Sequence, residues 1–353
     1  MSVLSIPHIR LANQQLVGTQ LKMPKEVVSW MGAMQAQDFN MAKWAIGTRL
    51  PHSTSRQIEA ALAEGKIIRT HILRPTWHFV AKEDFHQMMM LTAPRIKTAL
   101  VGYEKNVGLN KAAIPKQQAL VLDILGRGNQ LTRQEIGKEL ENMGIKLSDS
   151  RMLAHIMFHA EIDRLVCSGA VKNKKQTYRL VEEVIKPPKS FNKDNALESL
   201  AHRFFTSHAP ATLQDFTWWS GLAFTEARKA LEMIRHDFIC EEIDGRSYWL
   251  TNNFKGLNTA ENTAHLLPAF DEYVVSYKDR AAIFMYGSYS KVISTNGIFK
   301  PTVMINGQVV GMWKRVVKGK KATIEIELFK KLDKAAKSAL AVEVEKYEWY
   351  MAD

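Results

Sequence analysis

The sequence is poor in cysteine. Its 353 residues include two, Cys167 and Cys240, which stand far apart and form no Cys-x-x-Cys pair. The chain also has no His-Glu-x-x-His motif and no other cluster of metal-ligand residues. These absences argue against a structural zinc, an iron–sulfur cluster or a disulfide framework, so we expect no cofactor and no metal site.

Long apolar runs are missing as well. No segment approaches the roughly 20 apolar residues that a membrane-spanning helix needs. The N-terminal stretch MSVLSIPHIRLANQQL has neither the apolar core nor the cleavage site of a signal peptide. The sequence therefore predicts no membrane segment and a cytoplasmic location.

The charge that is present is unbalanced. Lys and Arg number 48 against 36 for Asp and Glu, which gives a net charge of +12. This excess favours polyanionic partners, phosphate backbones above all. The hydrophobic fraction of 46% is enough to pack the cores of roughly two to four domains.

One order of helices and strands occurs twice in the middle of the chain. From Lys116, an apolar-periodic helix is followed by LTRQEIGKEL, by a helix from about Ser148 and by the ribbon VCSGAVKNKKQTYRL. From Asn195, the same order runs through ATLQDFTWWSGL, a helix from Thr225 and FICEEIDGRSYWL. Three helices followed by a two-stranded ribbon form a winged helix, so the sequence predicts two of them in tandem.

Local signals support this repeat. Thr132 with Glu135, and Thr212 with Asp215, have the spacing of a capping box, in which each residue satisfies a backbone amide of the other. The Asp244-Gly245 pair is a hairpin turn signal. Both repeats are therefore expected to begin their second helix in the same way, and the second repeat to end in a tight hairpin.

Two glutamines, Gln35 and Gln37, lie at the joint between two apolar-periodic helices nearer the N-terminus. Residues two apart do not share a face of a helix, so a joint that presents both to one target must be extended or turning. Pro24 suits the first turn of the upstream helix, whose buried stripe is predicted to reach Met34, and Asp38 can cap the downstream helix. From the residues alone, the two amides either satisfy backbone groups at a helix junction or bind a ligand.

A ribbon, KIIRTHILRPTWHFV, follows these helices and makes the N-terminal part fit a third winged helix. The strand period of two places Arg74, Thr76 and His78 on one face, which is polar. Trp77 and Phe79 lie on the other face and are expected to seal the core. The polar face of such a wing commonly meets a phosphate backbone.

The pattern changes after about Leu257. AHLLPAFDEYVVSY, KPTVMINGQVVGMWKR and KGKKATIEIELF alternate apolar and polar residues around turns at Asn306-Gly307 and residues 318–321, and a helix from about Leu332 closes the chain. The sequence thus predicts an α+β fold with three tandem winged-helix modules, residues 1–113, 114–188 and 189–256, followed by a small antiparallel β domain with a C-terminal helix, residues 257–353.

Seven segments together resemble the AlkZ/YcaQ family of winged-helix DNA glycosylases over essentially the whole chain. They are MQAQD, RTHILRPTWHFV, LTRQEIG, AEIDRLVCSG, ATLQDFTWWSGL, LLPAFDEYVVSYKDR and NGQVVGMWKR. The family motif is Gln-x-Gln in AlkZ-like members and Gln-x-Asp in YcaQ-like members, so the resemblance implies that Gln35 and Gln37 are catalytic and that this chain is AlkZ-like. Asp38 follows one residue too late to replace the YcaQ-type carboxylate, so we keep it as a helix cap.

The resemblance implies a monofunctional glycosylase that hydrolyses the N-glycosidic bond of alkylated purines in double-stranded DNA. Simple methylpurines, a natural-product adduct and an N7-linked interstrand crosslink are the alternative lesions. We expect a monomer that clasps one point on DNA. The residues that we expect to contact DNA are Arg74, Thr76, His78, Lys172, Lys174, Lys175, Arg280, Lys314, Arg315, Lys318, Lys320 and Lys321.

Other functions are compatible with the same modules. Winged helices more often belong to regulators than to enzymes, so the main alternative is a non-catalytic DNA-binding protein or transcriptional regulator. A protein-interaction scaffold explains neither the charge nor the polar joint. Trp218 and Trp219 suit base stacking, yet at least one of them is expected in the core.

Overall fold

The computed structural model describes residues 5–106, 111–147, 150–173, 175–252, 262–285, 287–318 and 321–352. The chain forms two compact units, one of Met1–Ile58 with Leu197–Asp353 and the other of Glu59–Ala196. One boundary between the units falls within the predicted first module, and the four-module division stays a prediction. In the part of the chain that the structure describes, no helix combines the length and the apolar character needed to cross a membrane.

The described part of the chain combines helices with small antiparallel sheets, which is an α+β fold. The helices are α1 (Ile6–Asn13), α2 (Pro24–Met31), α3 (Phe39–Gly47), α4 (Ser55–Ala63), α5 (Phe85–Asn106), α6 (Ile114–Leu125), α7 (Arg133–Asn142), α8 (Ser150–Ile162), α9 (Lys193–Ser207), α10 (Leu213–Ser220), α11 (Phe224–Ile234), α12 (Glu272–Val275), α13 (Tyr289–Val292) and α14 (Lys334–Ala352). The strands are β1 (Ala33–Gln35), β2 (Ile67–Ile72), β3 (Thr76–Ala81), β4 (Leu131–Thr132), β5 (Val166–Lys172), β6 (Lys175–Leu180), β7 (Phe238–Ile243), β8 (Arg246–Thr251), β9 (Ala264–Leu267), β10 (Thr302–Ile305), β11 (Gln308–Lys318) and β12 (Lys321–Leu328).

The unit Glu59–Ala196 contains the predicted order of three helices and a ribbon. Helices α6, α7 and α8 are followed by the β5–β6 hairpin, and β4 adds to it in the order β4–β6–β5. The predicted capping box is confirmed, because Thr132 Oγ1 accepts from Glu135 N at 3.3 Å and Glu135 Oε2 accepts from Thr132 N at 2.7 Å. A continuous core that includes Val121, Ile136 and Met157 packs these elements together.

The other unit repeats this order with α9, α10, α11 and the β7–β8 hairpin. Its predicted capping box is also confirmed, since Thr212 Oγ1 accepts from Asp215 N at 3.1 Å and Asp215 Oδ2 accepts from Thr212 N at 3.0 Å. Asp244 and Gly245 both have positive φ angles, 50° and 71°. A two-residue hairpin turn needs this geometry, which confirms the Asp-Gly prediction.

The C-terminal part of the same unit is a four-stranded antiparallel sheet in the order β12–β11–β10–β9, followed by α14. Asn306 and Gly307 form the predicted turn, with φ angles of 50° and 76°. The prediction that AHLLPAFDEYVVSY alternates as a strand is wrong beyond Leu267. The chain turns at that point, and Asp271 caps the short helix α12 by accepting a hydrogen bond from Tyr273 N.

Candidate active site and DNA-contact residues

The joint that carries the two glutamines is not helical, as the sequence predicted. Helix α2 ends before Gly32, whose φ of 77° is a conformation that glycine adopts readily. The chain then forms the short strand β1, bends at Gln37 and enters α3. The predicted helical stripe is wrong at its last position, because Met34 is buried in β1 and not in α2.

The two glutamines have different surroundings. The Gln35 side chain is buried, with 7% of its surface exposed, whereas Gln37 is exposed. Strand β1 ends at Gln35, so the alternation of strand side chains does not extend to Gln37. The joint therefore combines one enclosed amide with one that solvent and ligands can reach.

Glu272 holds the joint from within the protein. Its Oε1 accepts a short hydrogen bond from the backbone N–H of Gln35, and its side chain is 1% exposed. Its Oε2 accepts from the indole Nε1 of Trp219 at 3.1 Å and from the Ser276 hydroxyl. One oxygen of this buried carboxylate thus holds the glutamine strand and the other holds the helices beneath it.

His208 lies beside this carboxylate. Its Nε2 is 3.8 Å from Glu272 Oε2, and its ring stacks on Phe204 at a centroid distance of 4.7 Å. Burial lowers the pKa of His208, and the nearby Glu272 carboxylate opposes this shift. Because the burial effect is the larger, the neutral form of the ring is favoured.

The next residue, Asp271, fixes the helix on the other side of the joint. Both of its oxygens accept hydrogen bonds from the guanidinium of Arg49, each at 2.8 Å, and neither side chain is exposed. Arg49 also donates to Gln14 and to the Ala45 carbonyl, so each of its five N–H groups has an acceptor. The Asp271-Glu272 pair thereby anchors both β1 and the segment that follows α3.

Two further contacts fix α3 at the end of the joint. Asp38 caps the helix as predicted, because its Oδ1 accepts from Asn40 N and Met41 N, both at 3.1 Å. Trp44 is buried, and its Nε1 donates to the Leu266 carbonyl at 2.6 Å. The direction in which the chain leaves the glutamines is therefore set by a cap and a buried anchor.

Comparisons with known proteins agree with this architecture. The family model described as "DNA glycosylase AlkZ-like" matches residues 28–350, which is most of the chain. The chain belongs to the AlkZ-like family of DNA glycosylases. It is thus a DNA-binding protein of DNA repair, and glycosylase activity follows from the family.

A solved structure supports the fold of this AlkZ-like chain. The structure of Streptomyces sahachiroi DNA glycosylase AlkZ is similar with a TM-score of 0.80 at 18% sequence identity, and the match covers 98% of this chain and 95% of that chain. At this identity the likeness speaks for the fold alone. A comparison with curated proteins found no match.

In the AlkZ-like chain, the β2–β3 hairpin carries three of the predicted DNA contacts. Arg74 lies in the turn between the strands, and Thr76 begins β3, each partly exposed. His78 is buried, and its Nδ1 lies 2.9 Å from the Thr76 carbonyl. The polar face that the sequence predicted is therefore covered at His78. Phe79 is buried as predicted, and Trp77 is partly buried against the core of its unit.

A buried acid orders this hairpin. Glu161, 1% exposed, accepts from the backbone N–H of His71 at 3.1 Å, and its Oε2 lies 2.9 Å from His71 Nδ1. The His71 ring packs between Trp77 and Phe158, at centroid distances of 3.9 and 4.3 Å. In the same unit, Arg69 N donates to the Ser168 hydroxyl at 2.8 Å, which brings β2 beside β5.

The β5–β6 hairpin carries two of the predicted DNA-contact cations that the structure describes. Lys172 pairs with Glu135 Oε1 at 2.6 Å, and Lys175 donates to Gln134 Oε1 at 2.7 Å. Both lysines are exposed, and Lys174 lies outside the described residues. The bond to Lys172 is the main cause that lowers the pKa of Glu135 to about 2.

The predicted cations of the β11–β12 hairpin lie on the C-terminal sheet. Lys314 pairs across the strands with Glu325 at 2.8 Å, and Arg315 is exposed. Lys318 pairs in backbone register with Lys321, and Lys320 lies outside the described residues. Lys314 and Arg315 are thus two exposed cations at neighbouring positions of β11.

Arg280 has a different environment from the other predicted contacts. Its side chain is buried, its Nε donates to the Val274 carbonyl at 2.7 Å, and a terminal nitrogen donates to the Val275 carbonyl at 3.3 Å. These bonds brace the chain after α12. A phosphate contact by Arg280 stays a prediction, and the bonds it makes within the protein are structural.

The two tryptophans divide as expected. Trp219 is fully buried and bonds to Glu272, which confirms the expected core position. Trp218 is partly buried, donates to the Val275 carbonyl at 2.9 Å, and lies beneath the Lys278 ammonium at 4.8 Å from its ring. A base-stacking role is therefore not supported at either position.

The sequence reasoning missed Asp271 and Glu272. Both lie in LLPAFDEYVVSYKDR, a segment of the family resemblance in which Arg280 alone carries a predicted role. The available signal was two adjacent acids among apolar residues, because acids are rarely buried unless they are paired. Their partners, Arg49 and Gln35, are more than 200 residues away in sequence.

Proposed function

We propose that this chain hydrolyses the N-glycosidic bond of alkylated purines in double-stranded DNA, as a monofunctional glycosylase, with Gln35 and Gln37 as its catalytic residues. N7-linked interstrand crosslinks are within the proposed substrate class. The observation that carries the proposal is the non-helical joint, held by Glu272 on one side and by the Asp38 cap on the other. The chain is proposed to act as a monomer.

The residue types suit this chemistry. A purine alkylated at N7 or N3 is already cationic, so it leaves without being protonated by the enzyme. What the site must supply is a placed water and stabilisation of an oxocarbenium-like transition state. A glutamine amide is no general base near neutral pH, but its carbonyl oxygen can orient a water and face developing positive charge. Undamaged bases would react poorly, which gives selectivity.

The environments of the two glutamines suggest separate tasks. Gln37 is exposed and can meet a water or the sugar directly. Gln35 is enclosed, and its backbone is fixed by Glu272, so it can contribute an oriented dipole at the base of the site. Preorganised dipoles lower a barrier because they need no rearrangement as charge develops.

DNA binding is proposed to use the exposed cations of the β5–β6 hairpin and of strand β11 in the C-terminal sheet. Lys172, Lys175, Lys314 and Arg315 are all exposed. Contacts of this type release counterions from DNA, so the affinity should fall steeply as salt is raised. A protein-interaction scaffold would not show this dependence.

The test is base release from duplex DNA that contains N7-methylguanine, and from a duplex crosslinked through N7, by wild type, Gln35→Ala and Gln37→Ala. Loss of a preorganised donor or acceptor from a transition state typically costs about 10²–10³ in rate, so we expect each substitution to lower release by about this factor while duplex binding persists. Asp38→Asn is the control, because asparagine also caps helices and should leave release unchanged.

The other outcomes discriminate between the alternatives. Tight duplex binding without release of either lesion would favour the non-catalytic DNA-binding protein. Trapping of a covalent enzyme–DNA adduct by borohydride would show a lysine-dependent lyase and contradict simple hydrolysis. Loss of release in Asp38→Asn, with release retained in Gln35→Ala and Gln37→Ala, would assign the carboxylate, and not the glutamines, to the reaction.

A further inference from the structure

We propose that Glu272 is a positioning residue for the glycosylase reaction and acts through Gln35. This inference rests on the proposed role of the two glutamines and adds a third residue to that site. It is drawn from the contacts that tie the carboxylate to the glutamine strand.

The carboxylate joins the glutamine strand to the interior by its two oxygens. Oε1 accepts from the Gln35 N–H, while Oε2 accepts from Trp219 and from Ser276. With only 1% of the Glu272 side chain exposed, water cannot easily replace any of these donors. A displacement of the carboxylate is therefore passed to the backbone of Gln35, and from there to Gln37.

The backbone at Glu272 is held in place by the contacts of the residue before it. Asp271, the preceding residue, is held by both terminal nitrogens of the buried Arg49. Asp271 also caps α12, the helical turn that begins with Glu272, by accepting from Tyr273 N at 2.9 Å. The backbone of Glu272 therefore cannot shift to compensate for a change at the end of its side chain.

The site needs a carboxylate and not an amide of the same shape. Three donors, from Gln35, Trp219 and Ser276, point at its two oxygens. In Glu272→Gln, one oxygen becomes an NH₂ group, which accepts no hydrogen bond. If the NH₂ group faces Trp219, two donors oppose each other there; if the amide is flipped, two donors oppose each other at Gln35.

The negative charge also lies where it can assist the reaction. Burial lowers the pKa of the neighbouring His208, which disfavours a positive charge on its ring beside the carboxylate. A negative charge hydrogen-bonded to the peptide of Gln35 favours the positive charge that develops on the sugar during base loss. Removal of this charge should therefore slow the chemical step more than it weakens DNA binding.

The experiment measures two quantities for the full-length protein. One is the single-turnover rate of N7-methylguanine release at saturating enzyme, and the other is the affinity for the same duplex by fluorescence anisotropy. We expect Glu272→Gln to lower the rate by about 100-fold, the cost typical of displacing a catalytic group by about 1 Å, with the affinity unchanged. Ser276→Ala removes one hydrogen-bond donor to the Glu272 carboxylate and keeps the contact to Gln35, so it should lower the rate less. This variant provides the test if Glu272→Gln does not fold.

Glu343→Gln is the matched control. Glu343 is also a buried acid of the same unit, 6% exposed, and accepts from the Thr48 hydroxyl at 3.2 Å, but it lies on α14 and has no contact with the joint among the described bonds. It should lower the thermal midpoint as Glu272→Gln does while the rate stays at the wild-type value. A merely structural role of Glu272 predicts equal behaviour of the two variants.

The outcomes separate this inference from the proposed function. If wild type releases the base and Glu272→Gln or Ser276→Ala matches its rate, the inference on Glu272 is overturned and the glutamine site stands. If rate and affinity fall together in Glu272→Gln and in Glu343→Gln, a structural role replaces the positioning role. If wild type releases no base from any N7-alkylated duplex, the proposed function fails and the inference fails with it.

Discussion

The buried ion pair between Arg49 and Asp271 provides the most direct test of how the glutamine joint is held. Asp271→Asn keeps the size of the side chain and, because asparagine also caps helices, keeps the bond to Tyr273 N. It removes the negative charge beneath a guanidinium that has no exposed surface. The substitution thus isolates the cost of leaving the Arg49 cation buried without its counterion.

The magnitude follows from the geometry. Both bonds between the two side chains are 2.8 Å long, and the asparagine amide can accept only one of them. The remaining donors of Arg49 keep Gln14 and the Ala45 carbonyl, so the loss is confined to the charge and one bond. Removing one partner of a buried pair costs about 3–5 kcal/mol of unfolding free energy, and we expect a loss in this range.

The assay is equilibrium urea unfolding followed by circular dichroism, with attention to the transition of the unit that contains residues 1–58 and 197–353. The control is Arg235→Ala, which breaks an exposed pair of 3.0 Å with Glu232 and should change stability by about 0–1 kcal/mol. If Asp271→Asn costs no more than Arg235→Ala, the guanidinium is not held as a buried cation and the reasoning is refuted.

Three further predictions follow from single contacts. Lys172→Met should raise the pKa of Glu135 from about 2 toward the ordinary glutamate value, as read from its carboxyl carbon by NMR. Burial lowers the pKa of His265 to about 3, so between pH 6.5 and pH 3 the unfolded chain binds a proton that the folded chain does not. Relative to His265→Leu, wild type should therefore lose up to about 1.4 kcal/mol of stability for each pH unit that the pH falls in this window, as measured by urea unfolding. Arg315→Ala should reduce the slope of log affinity against log salt by about 1 in anisotropy titrations with duplex DNA.

Each of these has a contrary result. An unchanged pKa of Glu135 in Lys172→Met would mean that the ion pair does not exist in solution. Parallel stability curves of wild type and His265→Leu below pH 6.5 would mean that the ring is protonated in the folded chain. An unchanged salt slope in Arg315→Ala would mean that this side chain does not neutralise a phosphate. Glu242→Ala, which changes an exposed acid on β7, supplies the baseline for a substitution without such a contact.

Local signals in the sequence were enough for much of the fold. The capping pairs at Thr132 and Thr212, the turn at Asp244-Gly245 and the Asp38 cap all form as predicted. Each depends on residues at most three apart, so the physical cause is contained in a short segment. The same holds for the non-helical joint, because the spacing of its glutamines excludes a shared helical face.

The sequence reasoning failed where an environment is made by distant segments. The period of two placed His78 on the polar face of its strand, but the chain around it buries the ring. The strand predicted for AHLLPAFDEYVVSY ends at Leu267, and the short helix α12, capped by Asp271, follows it. Alternation tells which side chains share a face, and it does not tell what covers that face.

The sequence by itself determined the family, the order of helices and strands in the two repeats, and the residue types at the joint. Only the tertiary structure decided that Gln35 is enclosed while Gln37 is exposed. It also decided that the buried carboxylate of Glu272 accepts the hydrogen bond of the Gln35 N–H. The physical reason is distance along the chain: the N–H of Gln35 and the carboxylate of Glu272 are 237 positions apart, and no local pattern records a hydrogen bond that forms only after the unit has folded.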